Sequence, residues 1–329
     1  MSDEGRQRLR LWLRCGFFAL FVLAPVFDVF RLDLTRGHFV LFGLDWTLGI
    51  DDFTAGRIDA TELSLRVVLR AFVPGLAFVL GGLWLAWKYG RLYCGWLCPH
   101  GSVVETVNAL MRRAGGTPSL WERRPATPRQ ADGSVFEPKA LWWLPTALVV
   151  TGFAGLWAVT LLTYLLPPAE VWGNLWRLEP TRNQALFIGV ATGLFTLEFT
   201  FARHLFCRFA CAAGLFQSHA WMANRRALVI TYQRDRAADC AGCEAVCEIA
   251  CPMRLKPRTI KRRKFACTQC TACISACTTV QRHNPAGSLL AWQSGEAALA
   301  ESGQRALRRI EVTGSRKVGA ATDVRSEAA

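Results

Sequence analysis

Eight cysteines between residues 240 and 277 constrain this chain more than anything else in it. They fall into two groups of four, Cys240, Cys243, Cys247 and Cys251, then Cys267, Cys270, Cys273 and Cys277, spaced C-x2-C-x3-C-x3-C-P and C-x2-C-x2-C-x3-C. Such spacing wraps iron–sulfur cubanes, because three close thiolates serve one cluster and the fourth of each run reaches the other. The expected ligand sets are therefore Cys240, Cys243, Cys247 with Cys277, and Cys267, Cys270, Cys273 with Cys251. The first run carries one extra residue, and Thr278 stands where a proline would follow the second. Structural zinc is the rival reading, since paired C-x2-C knuckles suit tetrahedral thiolate sites. Zinc knuckles, however, join two cysteines to a distant second pair, whereas each run here offers a third and a fourth close by.

The rest of the chain is too apolar for an ordinary soluble domain. Its 329 residues are 52% hydrophobic, with 13 Trp and 20 Phe, which indicates a membrane protein with a soluble appendix. Four stretches reach the roughly 20 helical residues that a hydrocarbon core requires: Leu11 to Phe30, Val67 to Trp87, Leu141 to Leu166 and Gln184 to Phe201. The net charge of +14 is confined to particular loops and comes with no nucleic-acid recognition motif, so no nucleic-acid partner is expected. Residues 28–66 hold seven acidic and four basic side chains, residues 88–139 eight basic and four acidic, and residues 203–282 fourteen basic and four acidic. By the positive-inside rule the first of these loops lies outside, and the other two lie in the cytoplasm with both termini. The expected location is a bacterial inner membrane, where disulfides on the reducing side are disfavoured.

A repeat runs through the inner loops. Cys94-Gly-Trp-Leu-Cys98-Pro-His-Gly101 and Cys207-Arg-Phe-Ala-Cys211-Ala-Ala-Gly214 are 113 residues apart, and the same offset pairs Arg112-Arg113-Ala114 with Arg225-Arg226-Ala227. Two hairpins in the same orientation imply a parallel pseudo-repeat about an axis along the membrane normal. On a helical turn, residues four apart share a face, so Cys94, Cys98, Cys207 and Cys211 form a candidate metal site for copper, zinc or a further cluster. The plain alternative is four buried, inert thiols acting as small hydrophobes.

These features together, with the closing stretch Asn284-Pro-Ala-Gly-Ser-Leu-Leu-Ala-Trp292, resemble the membrane polyferredoxins. That group includes NapH-like quinol dehydrogenase components and CcoG/FixG-like accessory proteins of cytochrome oxidase. The resemblance covers about residues 10–293 and implies an oxidoreductase component that moves electrons between the membrane, with quinol as donor, and a redox protein partner. Its second branch implies copper reduction for oxidase assembly, with the C-x3-C pairs as the copper site. A membrane-bound redox regulator is a third reading, although no effector domain is visible.

Single residues add candidates. Glu198 lies within the last apolar stretch, where a carboxylate is costly and points to function; it could take a proton from a quinol or pair with Arg203. His100 and His204 flank the C-x3-C loops as proton acceptors or ligands. The basic run from Arg254 to Lys264 reads as a solvated face or as a contact with anionic lipid. The expected architecture is an all-α membrane domain of four transmembrane helices with a two-fold pseudo-repeat over residues 1–230. A small α+β bacterial ferredoxin-like 2[4Fe–4S] domain follows over 231–293, then a mostly flexible tail over 294–329, with a short helix near Glu296 to Ile310.

Overall fold

The computed structural model describes residues 2–122, 130–135 and 137–302. Helix α1 (Asp3–Leu23) is capped by the Ser2 side chain, which accepts from the Gly5 N–H at 3.2 Å. Three helices among the described residues are long and apolar enough to cross a membrane: α2 (Ala60–Tyr89), α5 (Ala140–Thr163) and α6 (Arg182–Ala210). Between the first two lie α3 (Leu92–Trp96) and α4 (Pro99–Gly115), and α7 (Ala212–Ala223) follows α6. The expected first span falls short of this set. Its helix ends at Leu23, and its N-terminal half carries Arg6, Arg8, Arg10 and Arg14.

Helix α5 is the inner member. In its most apolar window 39% of residues are buried, against 6% in α6 and none in α2. Its face Val150, Ala154 and Ala158 recurs every four residues, the helical repeat of one side. It packs with Val103, Val107 and Met111 of α4 and Phe199 of α6, ringed by Phe18, Phe153, Trp157 and Phe195. Helix α2 instead packs chiefly on α7, so its sides present Phe72, Leu76, Phe78, Leu80 and Trp84 outward.

The segment between α1 and α2 carries a sheet, so the domain expected to be all-α over residues 1–230 is not purely helical. Strands β1 (Phe30–Asp33), β2 (His38–Leu41) and β3 (Leu44–Trp46) form an antiparallel meander, with Val40 opposite Arg31 and Asp45. Gly37 and Gly43, at φ +73° and +75°, supply the left-handed turns that such tight hairpins need. The sheet is fastened to the end of α5 by the Leu32 N–H donating to Tyr164 O at 2.9 Å and the Leu34 N–H to Leu165 O at 3.0 Å.

The C-terminal domain is built on a hairpin of β4 (Val229–Tyr232) and β5 (Leu290–Gln293), with Ile230 opposite Trp292. It carries the short helix α8 (Val246–Ile249) and helix α9 (Ala272–Val280). Residues beyond 293 continue into it. Helix α10 (Glu296–Leu299) packs on β4, and buried Glu301 pairs with Arg234 and Lys264. The remainder of the expected tail, 303–329, lies outside the described residues.

The basic run is not a solvated stripe. Lys261 donates to Trp221 O and Asn224 O, and Lys264 donates to Ile230 O, with both lysines buried. Arg254 pairs with Glu122 and Arg258 with Glu248. Only Lys256, Arg262 and Arg263 of the seven are exposed.

Candidate functional site

The eight clustered cysteines line two neighbouring cavities. Cys240, Cys243, Cys247 and Cys277 surround one of about 330 Å³, and Cys251, Cys267, Cys270 and Cys273 another of about 380 Å³. Ile230, Ile274 and Leu290 pack between them, against Cys247 and Cys273. No cysteine is in a disulfide.

The loops owe their curvature to left-handed residues on either side of the second cysteine of each run. In the second run these are Gln269 and Thr271, at φ +55° and +58°, and in the first Gly242 and Glu244, at +77° and +48°. The extra residue of the first run is Ala245, also left-handed at +57°, so the insertion lengthens the bend without moving the cysteines off the cavity wall. The missing proline has a local reason as well. Helix α9 continues past Cys277 to Val280, which proline would oppose, and the Thr278 hydroxyl donates to Asp3 of α1 at 2.5 Å.

The donor set fits iron–sulfur clusters. Each cavity offers four sulfurs in a wall of mostly apolar side chains that one cation joins, Arg258 in the first and Lys264 in the second, so a cluster would be shielded from water beside a positive charge. Burial pushes the free thiols up, Cys267 to about 11 and Cys247 to about 12, and it holds Cys273 well above the ordinary thiol value. As thiols they keep their protons at neutral pH, and ligation displaces them.

The C-x3-C loops meet in a third chamber of about 480 Å³, lined by Cys94, Cys98, Cys207 and Cys211 together with Arg91, His100, Glu105, Met253 and Thr268. In each loop the first cysteine lies within an incoming helical turn, Cys94 in α3 and Cys207 in the turn Phe206–Ala210, and the second is the N-cap of an outgoing helix: Cys98 for α4, Cys211 for α7. The glycine three residues further on permits a close approach in both. A Cβ at Gly101 would lie 2.7 Å from Cys94 O, and one at Gly214 3.3 Å from Cys207 O. Burial also raises the Cys98 thiol, to about 11, against the N–H groups of Gly101 and His100 that act to lower it.

His100 and Glu198 meet beside this chamber. The imidazole Nε2 lies 3.1 and 3.2 Å from the two Glu198 oxygens, and Nδ1 lies 3.1 Å from Cys207 Sγ. A carboxylate only accepts, so Nε2 carries the proton and Nδ1 accepts from the thiol. Glu198 opens a π-helical turn, Glu198–Ala202, and Cys207 lies in a second, Phe206–Ala210. Such turns are frequent at functional sites. The alternative pairing of Glu198 with Arg203 is not formed. Arg203 donates instead to Phe199 O at 3.0 Å and Thr200 O at 2.9 Å, two carbonyls of the π turn, and to the Asn108 side-chain Oδ1 of α4 at 3.0 Å. His204 stands apart from the chamber wall, its Nε2 buried without a partner.

Three contacts were not foreseen in the sequence. Gly95 lies against the Thr268 carbonyl so closely that a Cβ would overlap it. Trp96 donates to Gln269 O at 3.0 Å and stacks on Trp292, their planes 5° apart and centroids 6.2 Å apart. Asp3, Gln7, Arg10 and Arg14 of α1 reach Thr278, Cys270 O with Thr271, Gly95 O with Glu105, and Glu105. An i, i+4, i+7, i+11 stripe of polar residues was the available signal, hidden by its resemblance to a topogenic basic N-terminus.

Comparison with known proteins bears on the same segments. A family described as a 4Fe–4S binding domain matches residues 71–118 and 183–226, each of which contains one C-x3-C loop. The chain is 24% identical over 226 residues to YccM of Escherichia coli, named for electron transport, covering 68% of this chain and 56% of YccM. It is 23% identical over 238 residues to the methylamine utilization ferredoxin-type protein MauN of Methylorubrum extorquens, covering 69% of each. No solved structure matches.

Proposed function

Because the chain belongs to a polyferredoxin-like 4Fe–4S family, we propose that it is a membrane-anchored electron-transfer protein linking a membrane quinol to a redox protein partner. The observation that carries this reading is the pair of adjacent four-cysteine cavities docked on the membrane helices. When bound, two [4Fe–4S] clusters, held by Cys240, Cys243, Cys247 with Cys277 and by Cys251, Cys267, Cys270 with Cys273, supply one-electron carriers.

Lining residues shared between neighbouring cavities support an order for the path. Met253 and Thr268 line both the C-x3-C chamber and the cavity of Cys251. Cys247, Cys273 and Ile274 pack between that cavity and the next. Cys243, Val246, Val280 and Gln281 then line both the cavity of Cys240 and an open polar groove with Asp239, Arg282 and His283, where a partner can approach. At the membrane end Glu198, whose carboxylate His100 holds, would take the proton that a quinol releases.

The two matched segments support a membrane part made of two similar halves, with α1 as a fourth crossing. Helix α1 runs beside α5, with Phe18 on Phe153 and Phe21 on Trp157, and its last turn meets the outer sheet's end of α5 through Tyr164 Oη donating to Phe21 O at 2.8 Å. The test is spectroscopic. In membrane vesicles, a reduced quinone should bleach the iron–sulfur absorption, and Glu198→Gln should slow that bleaching while dithionite still reduces the protein. Clusters reduced by dithionite but never by quinol would remove the quinol donor. Zinc without acid-labile sulfide in anaerobically isolated protein would remove the iron–sulfur reading.

A further inference from the structure

We propose that the Tyr232 hydroxyl sets the reduction potential of the distal cluster, the one of Cys240, Cys243, Cys247 and Cys277, by donating a hydrogen bond to the Cys240 sulfur. The inference rests on the iron–sulfur reading above and adds to it a residue that tells the two clusters apart.

Contact is the first argument. Tyr232 lines the cavity of Cys240, and its Oη is hydrogen-bonded to Cys240 Sγ at 3.6 Å. Between a phenol and a free thiol either group can donate. A ligating sulfur has lost its proton and only accepts. With a cluster bound, the direction of this bond is therefore fixed, and the phenol O–H is the donor. The cavity of Cys251 has a backbone donor, the Leu255 N–H at 3.4 Å from Cys251 Sγ, but among the described residues no side-chain hydroxyl is bonded to any of its four sulfurs.

The strand that carries Tyr232 is the second argument. Residues two apart on a strand share a face, and β4 passes both cavities with one such pair. Ile230 lines the cavity of Cys251, and Tyr232 lines that of Cys240. Pairing with β5 fixes both, Ile230 opposite Trp292 and Tyr232 opposite Leu290. The Tyr232 N–H is tied as well, donating to buried Glu301 at 3.2 Å. Where one cluster meets a hydrocarbon side chain, the other meets a hydroxyl held in place from two sides.

Charge is the third argument, because it does not make the same distinction. Arg258 in the first wall is paired with Glu248 at 2.9 Å, and Lys264 in the second with Glu301 at 3.3 Å. Each cation comes with its own carboxylate, so charge treats the two cavities alike and the hydroxyl does not.

The consequence falls on the last step of the path. On reduction the cluster gains one electron and its sulfurs become more negative, while the hydroxyl keeps its proton and no bond breaks. A hydrogen bond to sulfur favours that more negative state and raises the potential. The cavity of Cys240 shares Cys243, Val246, Val280 and Gln281 with the open groove, so Tyr232 holds the electron at the cluster from which the partner draws it.

The test is a redox titration of the anaerobically reconstituted chain, followed by electron paramagnetic resonance. Tyr232→Phe keeps every ligand and the ring. It should lower one of two reduction steps by about threefold to tenfold in its equilibrium constant, the upper figure being about 59 mV for one electron. The other step should stay in place, with iron and sulfide as in the wild type. Electron–nuclear double resonance of the reduced protein should show one exchangeable-proton coupling lost with the hydroxyl. Cys240→Ser, which changes a ligand of the distal cluster, should move or remove the same step. No shift in either step, an equal shift in both, or a Cys240→Ser effect on the other step would overturn the proposal and leave the proposed function standing. Loss of iron from Tyr232→Phe would overturn it too, since the hydroxyl would then hold the cavity together rather than tune the cluster. Wild-type protein with zinc and no sulfide would instead remove the iron–sulfur reading beneath it.

Discussion

At the scale of single residues, the junction between membrane part and cluster domain turns on one missing methyl group. Gly95 presses on the Thr268 carbonyl, within the loop that joins Cys267 to Cys270, so the C-x3-C loop seats directly on a cluster loop. Gly95→Ala should force the two apart and cost about 1–3 kcal/mol, the usual range for overpacking. Gly75→Ala, at a helical position with nothing within 4 Å of the added carbon, should be neutral in the same thermal-unfolding assay. Equal midpoints for the two variants would show that the seating is loose. The cysteine groups were readable because ligand spacing is local. Arg91 was not, because a lone arginine among loop residues looks like any topogenic charge until the fold buries it and leaves it without a carboxylate. Gly95 was equally silent, since the carbonyl that forbids a side chain there comes from 173 positions further along the chain.

At the scale of elements, the basic run between the two cysteine groups shows how composition misleads. Seven positive side chains in eleven positions read as a solvated face, yet the run folds back so that Lys261 sits over the Trp221 ring, 4.6 Å from its centroid, and donates to two backbone oxygens. Burial lowers the Lys261 ammonium from 10.5 to about 8. The unfolded chain keeps that proton up to the ordinary lysine value, whereas the folded chain releases it near pH 8, so between about 8 and 10.5 the unfolded state binds more protons and stability rises with pH. Below pH 8 the cost of the buried charge is fully present. The thermal midpoint of the wild type, taken as a difference from Lys261→Met, should therefore climb from pH 7 to pH 9.5. A flat or falling difference would place Lys261 in water. Helix α1 gives the converse lesson. Its Arg10 and Arg14 share Glu105 and tie α1 to α4, a pairing that no local pattern announces.

At the scale of the whole molecule, the sequence conveyed the division into apolar helices and a cysteine-rich domain because both rest on composition over long windows. It did not convey the outer sheet, whose strands of three and four residues are too short for alternation to rise above noise. The fold separates the charged groups on which the expected sidedness rests. Acidic Asp33, Asp45, Asp51 and Asp52 lie in the sheet and the turns that follow it, while the N-terminus of α1, the first C-x3-C loop and the cluster domain are joined to one another by hydrogen bonds, and Arg91 joins the second loop to them at Cys207 O. Lysine and arginine are retained on the cytoplasmic side, so the cluster end should face the cytoplasm. A cysteine introduced as Leu44→Cys, at a side chain 73% exposed in β3, should react with a membrane-impermeant maleimide in intact cells. Lys256→Cys, exposed in the cluster domain, should react only after the membrane is opened. The reverse pattern would turn the molecule over, and a partner at the groove beside Cys243 would then have to be sought on the other side of the membrane.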